Sequence, residues 1–130
     1  DANPLAGKKG NRIEIVAEID PGNCSTFTID LLKSPDSAES TSIVYDNAAQ
    51  YISAGGKGGR FQLLPDEKRL KIHAFLDASV LEVFINGREC ITVRAYPKNL
   101  DAAGIGMTCS GGDVEVGKCE IWQMNGIFDD

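Results

Sequence analysis

Eight side chains between residues 73 and 96 have the types and spacing to act together on a polar ligand. If the runs that carry them are consecutive strands, His73, Phe75, Asp77, Glu82, Phe84, Thr92, Arg94 and Tyr96 all stand on the face turned away from the core. A merely solvated face would be mostly Lys, Glu, Thr and Ser. Aromatic faces beside carboxylates and a guanidinium suit a sugar, whose CH faces stack on rings while its hydroxyls bond to charged groups. Asp77, Glu82, Arg94, Tyr96, Phe84 and His73 are therefore the candidate carbohydrate-binding residues. The plainer alternative is an ion pair between Glu82 and Arg94, with Phe75 and Phe84 packed under a loop.

The same residues make a poor catalytic site. Asp77 and Glu82 resemble the paired carboxylates of a glycosidase, and a short turn would bring them close. One small sheet, however, offers no deep cleft to exclude water. Arg94 nearby would keep Glu82 ionised, against the raised pKa that a general acid needs. Ser79, Ser110 and His73 form no nucleophile elbow or triad order. The glycines at 55–59 lack the Lys-Ser/Thr ending of a phosphate-binding loop. No catalytic residue is expected within the chain.

Metals and cofactors are not called for either. Cys24, Cys90, Cys109 and Cys119 include no C-x-x-C spacing, and His73 stands apart from them, so a zinc site is not expected. Cys90 and Cys119 fall inside apolar strand patterns, where a free buried thiol is the simplest state. Four cysteines allow three complete pairings, and the sequence does not choose among them or exclude a disulfide. Asp20, Asp101 and Asp113 are loop carboxylates that could feed a structural calcium ion, although no EF-hand pattern exists.

The elements that must position these residues are strands. No window sustains helical periodicity, whereas period-two alternation recurs between Gly, Asn, Asp and Ser turns. Residues 12–19 place Ile13, Ile15, Ala17 and Ile19 on one side, and residues 26–32 do the same with Phe27, Ile29 and Leu31. Shorter strands are expected at 42–46 and 50–53, and the glycine-rich stretch 54–60 reads as a loop with little order. Residues 70–77, 80–85 and 90–96 turn Leu70, Ile72, Ala74, Leu76, Leu81, Val83, Ile85, Ile91, Val93 and Ala95 inward. Two more strands, 103–109 and 113–124, flank Ser110-Gly111-Gly112. About nine strands without a helix predict an all-β, antiparallel two-sheet sandwich of the jelly-roll or concanavalin-like kind.

One register follows from this patterning. A two-residue turn at Asn86-Gly87 would oppose Val83 to Cys90 and Glu82 to Ile91, mixing apolar and polar sets on one face. A three-residue connection, Asn86-Gly87-Arg88, sets Glu82 opposite Thr92, Phe84 opposite Cys90 and Val80 opposite Arg94.

The chain has 130 residues, 13 basic and 19 acidic, for a formal net charge of −6. That length fits a single domain over 1–130, with 1–11 as an arm or linker and 125–130 as a tail. An acidic balance without a basic cluster argues against nucleic-acid and anionic-membrane partners. No apolar stretch approaches the ~20 residues of a membrane span. The opening DANPLAGKKGN has no leader pattern and reads as the start of a mature or excised piece.

The segment LKIHAFLDASVLEVFINGRECITVRAYP (70–97) resembles the signature of the C-terminal β-sandwich of glycoside hydrolase family 32, the invertases, levanases, inulinases and related β-fructosidases. The matching elements are Asp77, Ser79, Glu82-Val83-Phe84, Asn86-Gly87, Thr92, Arg94 and Tyr96-Pro97. RIEIVAEID (12–20) and GKCEIWQM (117–124) look like that module's first and last strands. The domain is also similar to carbohydrate-binding module family 66, which recognises terminal fructose of fructans. Leu81 and Val93 depart from the usual smaller apolar and small polar residues, and four cysteines exceed the expected number.

The resemblance implies a non-catalytic module whose catalytic carboxylates lie in an N-terminal five-bladed propeller. Glu89-Cys90 imitates that family's acid/base motif but sits on the hairpin inside the sandwich signature, so the match is read as coincidence. The expected partners are a fructose-containing carbohydrate, the propeller, or both, and the implied setting is secreted or periplasmic. A module on a propeller predicts an exposed apolar patch on one sheet face. An autonomous fructan-binding module predicts convergent polar groups, and a structural or dimerisation domain predicts a symmetric dimer.

Overall fold

A computed structural model describes residues 12–34, 36, 40–77, 79–94, 104–112 and 114–123. The expected arm at 1–11 and tail at 125–130 lie outside the described residues, as do Tyr96, Asp101 and Asp113. Every regular element is a strand: β1 (Arg12–Asp20), β2 (Thr26–Lys33), β3 (Thr41–Asp46), β4 (Tyr51–Ala54), β5 (Lys57–Arg60), β6 (Leu70–Asp77), β7 (Val80–Ile85), β8 (Glu89–Arg94), β9 (Gly104–Ser110) and β10 (Glu115–Gln123). No helix among the described residues is long and apolar enough to cross a membrane.

The strands form two antiparallel five-stranded sheets. The first runs β10-β1-β6-β7-β8 and the second β5-β4-β3-β2-β9. Period-two alternation does the sorting. Ile13, Ile15, Ala17 and Ile19 are buried while Arg12, Glu14, Val16 and Glu18 are only half-buried. Leu70, Ile72, Ala74, Leu76, Leu81, Val83 and Ile85 fill the same core from β6 and β7, against Phe27, Ile29, Ile43 and Tyr45 of the second sheet. Each such Ile or Leu removed from water contributes roughly 1.5–3 kcal/mol before ordering costs. Burial, and then the neighbouring Asp46 charge, push the Tyr45 phenol up from its ordinary pKa.

The glycine-rich stretch is not the loose loop expected from its composition. Gly55 and Gly56 have φ of +57° and +83°, the geometry of a two-residue hairpin turn. β5 accordingly folds back on β4, pairing Tyr51 with Arg60 and Ala54 with Lys57. Here a glycine is also a packing requirement, because a Cβ on Gly58 would stand 2.0 Å from the Ile52 carbonyl oxygen. This hairpin is why ten strands appear among the described residues rather than about nine. β2 carries a further irregularity between Asp30 and Lys33, where Leu32 takes φ +50° and both Leu31 and Leu32 turn into the core.

The connection between β7 and β8 has the anticipated register. Glu82 opposes Thr92, Phe84 opposes Cys90 and Val80 opposes Arg94. Asn86 and Gly87 have φ of +52° and +67°, and Arg88 N donates to Ile85 O at 3.1 Å. The extra residue lets Ile85 pair with Glu89 and keeps the apolar set on one face.

Candidate functional site

The outer face of the first sheet carries His73, Phe75, Asp77, Glu82, Phe84, Thr92 and Arg94, the described residues among those singled out by type and spacing. Because β6, β7 and β8 are neighbours, their outward residues form transverse rows. His73, Phe84 and Cys90 share one row; Phe75, Glu82 and Thr92 the next; Asp77, Val80 and Arg94 the third. Phe75 is half-buried and stacks between its neighbours: its centroid is 4.6 Å from the His73 ring and 6.0 Å from Phe84, edge to face. Phe84 is 36% exposed, so one ring of the cluster is open to a ligand. Ring–ring contacts hold the His73, Phe75 and Phe84 cluster together.

β1 and β10 extend these rows with two residues the sequence reading did not select. Glu14 pairs with Phe75 on one side and with Trp122 on the other. The full row is therefore Trp122, Glu14, Phe75, Glu82, Thr92. Trp122 is 46% exposed, the more open of the two exposed aromatics on this face. Glu14 Oε2 lies 2.5 Å from His73 Nε2, fixing the imidazole across the strand boundary. Asp77 Oδ1 is 3.4 Å from Arg12 Nε, an ion pair to β1. The alternation of β1 and β10 already marked Glu14 and Trp122 as outward; only strand order places them beside β6.

The platform is braced from one end by a network that sequence patterns did not disclose. Residues 61–69 cross from the second sheet to the first beneath the β7–β8 turn. Arg88 Nη2 donates to Glu67 Oε1 at 2.7 Å and to Gln62 O at 2.6 Å, and its guanidinium lies 4.3 Å over the Phe61 ring. Glu67 also accepts from Leu64 N at 2.7 Å and Asn86 Nδ2 at 3.1 Å. Asn86 continues inward, donating to Arg69 O and accepting from Lys71 N. The Arg88 hydrogen bonds, with the Leu64 amide second, hold the Glu67 carboxyl down at about 2. The same pair pushes Arg88 up.

A concavity lies at one edge of the sandwich. The β4–β5 hairpin leans on β8, with Lys57 Nζ donating to Thr92 O at 3.2 Å. Between them is a groove of about 450 Å³ whose lining includes Lys57, Arg60, Glu89, Ile91 and Thr92. Glu89 is thus a rim residue at the hairpin end of β8, opposite Ile85. Cys90 is exposed, a correction to its reading as a buried thiol, because it stands on the outward set opposite Phe84. Cys119 is half-buried, and burial followed by the Glu120 charge raises its thiol pKa. All four cysteines are free thiols. Asp20 Oδ1 accepts from Gly22 N at 3.0 Å, which accounts for that carboxylate as a turn cap.

Comparison with known proteins follows the same lines. The family model described as Glycosyl hydrolases family 32 C terminal matches residues 2–123. Among solved structures, exo-inulinase from Aspergillus awamori is similar with a TM-score of 0.78 and 22% identity, over 96% of this chain and 26% of that one. Fructan 1-exohydrolase IIa from Cichorium intybus gives 0.75 and 17%, over 92% and 32% respectively. A carbohydrate binding module of family 66 from Bacillus subtilis gives 0.66 and 8%, over 90% of this chain and 78% of the module. The chain thus spans about a quarter to a third of the two enzymes and most of the module. No curated protein matches.

Proposed function

This chain belongs to the C-terminal domains of family 32 glycosyl hydrolases, and from that premise we propose that it serves a fructose-active hydrolase as a non-catalytic module that contacts carbohydrate. The observation that carries the reading is the outer face of the first sheet, where Phe84 stands open among Glu82, Thr92 and His73. Rings there offer stacking faces, and Glu82, Asp77 and Arg94 offer charged partners for hydroxyls, with Tyr96 the remaining candidate. Asp77 is tied to Arg12 and the face is an open sheet, so the paired-carboxylate chemistry of hydrolysis belongs in the catalytic propeller of the longer polypeptide. No cofactor or metal is required. The family also supports a secreted or periplasmic setting.

Titration calorimetry with levan and inulin, against cellulose as control, tests this. Binding to a fructan and not to cellulose is expected. Glu82→Gln should weaken it about tenfold, the loss of one hydrogen bond to a charged group. Absence of heat with every fructan would sink the proposal, and free fructose released by the purified chain from sucrose or levan would sink its non-catalytic part.

The second sheet favours a role in supporting the catalytic domain. Its central outer row Thr108, Thr28, Val44, Ser53, Gly58 contains no charged side chain, and charged residues stand only in the flanking rows, with Asp30 on one side and Asp46 and Arg60 on the other. Long charged residues cost up to about 2 kcal/mol each to immobilise and are depleted at the centre of interfaces. That face is the one we assign to the propeller.

A further inference from the structure

We propose that the carbohydrate-contacting face takes several consecutive units of a sugar chain laid across the strands, with Trp122 and Glu14 as its far subsite. This rests on the carbohydrate reading above and extends it in ligand length and direction. The row Trp122, Glu14, Phe75, Glu82, Thr92 draws one residue from each of five adjacent strands. Four strand spacings make it about 19 Å long. A single sugar ring covers little more than one spacing, so a lone terminal unit would use one end of the row and leave the other empty. Trp122, 46% exposed at one end, and Phe84, 36% exposed toward the other, provide two separated stacking surfaces on the same face. Glu14 and Glu82 alternate with the aromatics along the row and can accept hydroxyl hydrogens from successive units.

Charge selects the class of occupant. Arg12 pairs with Asp77 and Lys118 with Glu120 at 3.5 Å, while Glu14 is hydrogen-bonded to His73. A face on which opposite charges lie interspersed across its own strands attracts neither a polyanion nor a polycation strongly. A neutral chain of hydroxylated rings meets both its apolar and polar demands.

The test is calorimetry of the whole chain with fructose and with fructan oligosaccharides of two, four and eight units. Affinity should climb with length until the row is filled and then level off. Trp122→Ala should weaken the longer ligands about tenfold, a stacked-ring contribution, and leave the disaccharide unchanged, with Trp122→Phe restoring most of the loss. Trp122 is exposed, so the variant keeps the fold, which circular dichroism verifies. Equal affinity for fructose and the octasaccharide, or no effect of Trp122→Ala on long ligands, overturns the proposal and leaves the carbohydrate reading intact. No heat with any ligand overturns both. A concentration-dependent dimer abolished by Trp122→Ala would show a protein interface instead and also overturns it.

Discussion

At the scale of single residues, Glu67 has the largest shift in acidity among the described residues, far from any position that spacing alone would select. Its carboxylate collects Arg88, the Leu64 amide and Asn86, and its pKa drops from 4.5 to about 2. The folded state therefore binds the proton less tightly than the unfolded chain. The associated stability is present above about pH 4.5 and is lost as pH falls toward 2. The thermal midpoint of the wild type should decline through that window. Glu67→Gln should lower the midpoint at neutral pH and flatten that decline, whereas an unchanged acid profile would mean Glu67 contributes nothing. The clamp matters to function because Asn86 and Arg88 aim the hairpin that carries Glu82, Phe84, Thr92 and Arg94. Residue spacing made those four legible as outward neighbours. It could not reveal Glu67, because the partner of Arg88 lies 21 positions away across a crossover.

Elements were legible to different degrees. Strands β1, β2, β6 and β7 follow from alternation, since each has one buried and one outward face. The β7–β8 register followed too, because a one-residue slip would have inverted that pattern. β5 was missed for a specific reason: Lys57-Gly58-Gly59-Arg60 has no apolar side chain to alternate, and its strand is imposed by pairing with β4. The two inner glycines of that strand should then behave oppositely. Gly58→Ala drives a methyl into the Ile52 backbone and should cost about 1–3 kcal/mol in urea unfolding. Gly59→Ala meets nothing within 4 Å and should be neutral or stabilise by about 0.4–1 kcal/mol. Equal effects at the two positions would contradict the close approach of β5 to β4.

For the whole molecule, the two outer faces differ in chemistry. The first sheet presents a cluster of aromatics among charges, and the second presents a central row of small neutral residues flanked by Asp30, Asp46, Tyr51 and Arg60. If the second face docks the catalytic domain, Thr28→Lys with Ser53→Lys should shift the isolated chain's thermal midpoint by only a few degrees, as surface changes do. In the longer polypeptide the same pair should split a joint calorimetric transition into two. Retention of one transition there would rule this face out as the interface.

The sequence alone determined the secondary structure of most strands, the inward and outward sets, the β7–β8 register and the family signature at 70–97. All of these depend on local period or on residues close along the chain. Tertiary structure alone decided that β10-β1-β6 are neighbours, which adds Trp122 and Glu14 to the face, and that Asp77 is held by Arg12. It also decided that Glu67 braces the hairpin and that a glycine run is a strand. Alternation tells a side chain which way to point, but the residue standing beside it is set by pairing between segments up to 110 positions apart, as in Ile13 against Trp122's neighbour Gln123, and no local pattern encodes that distance.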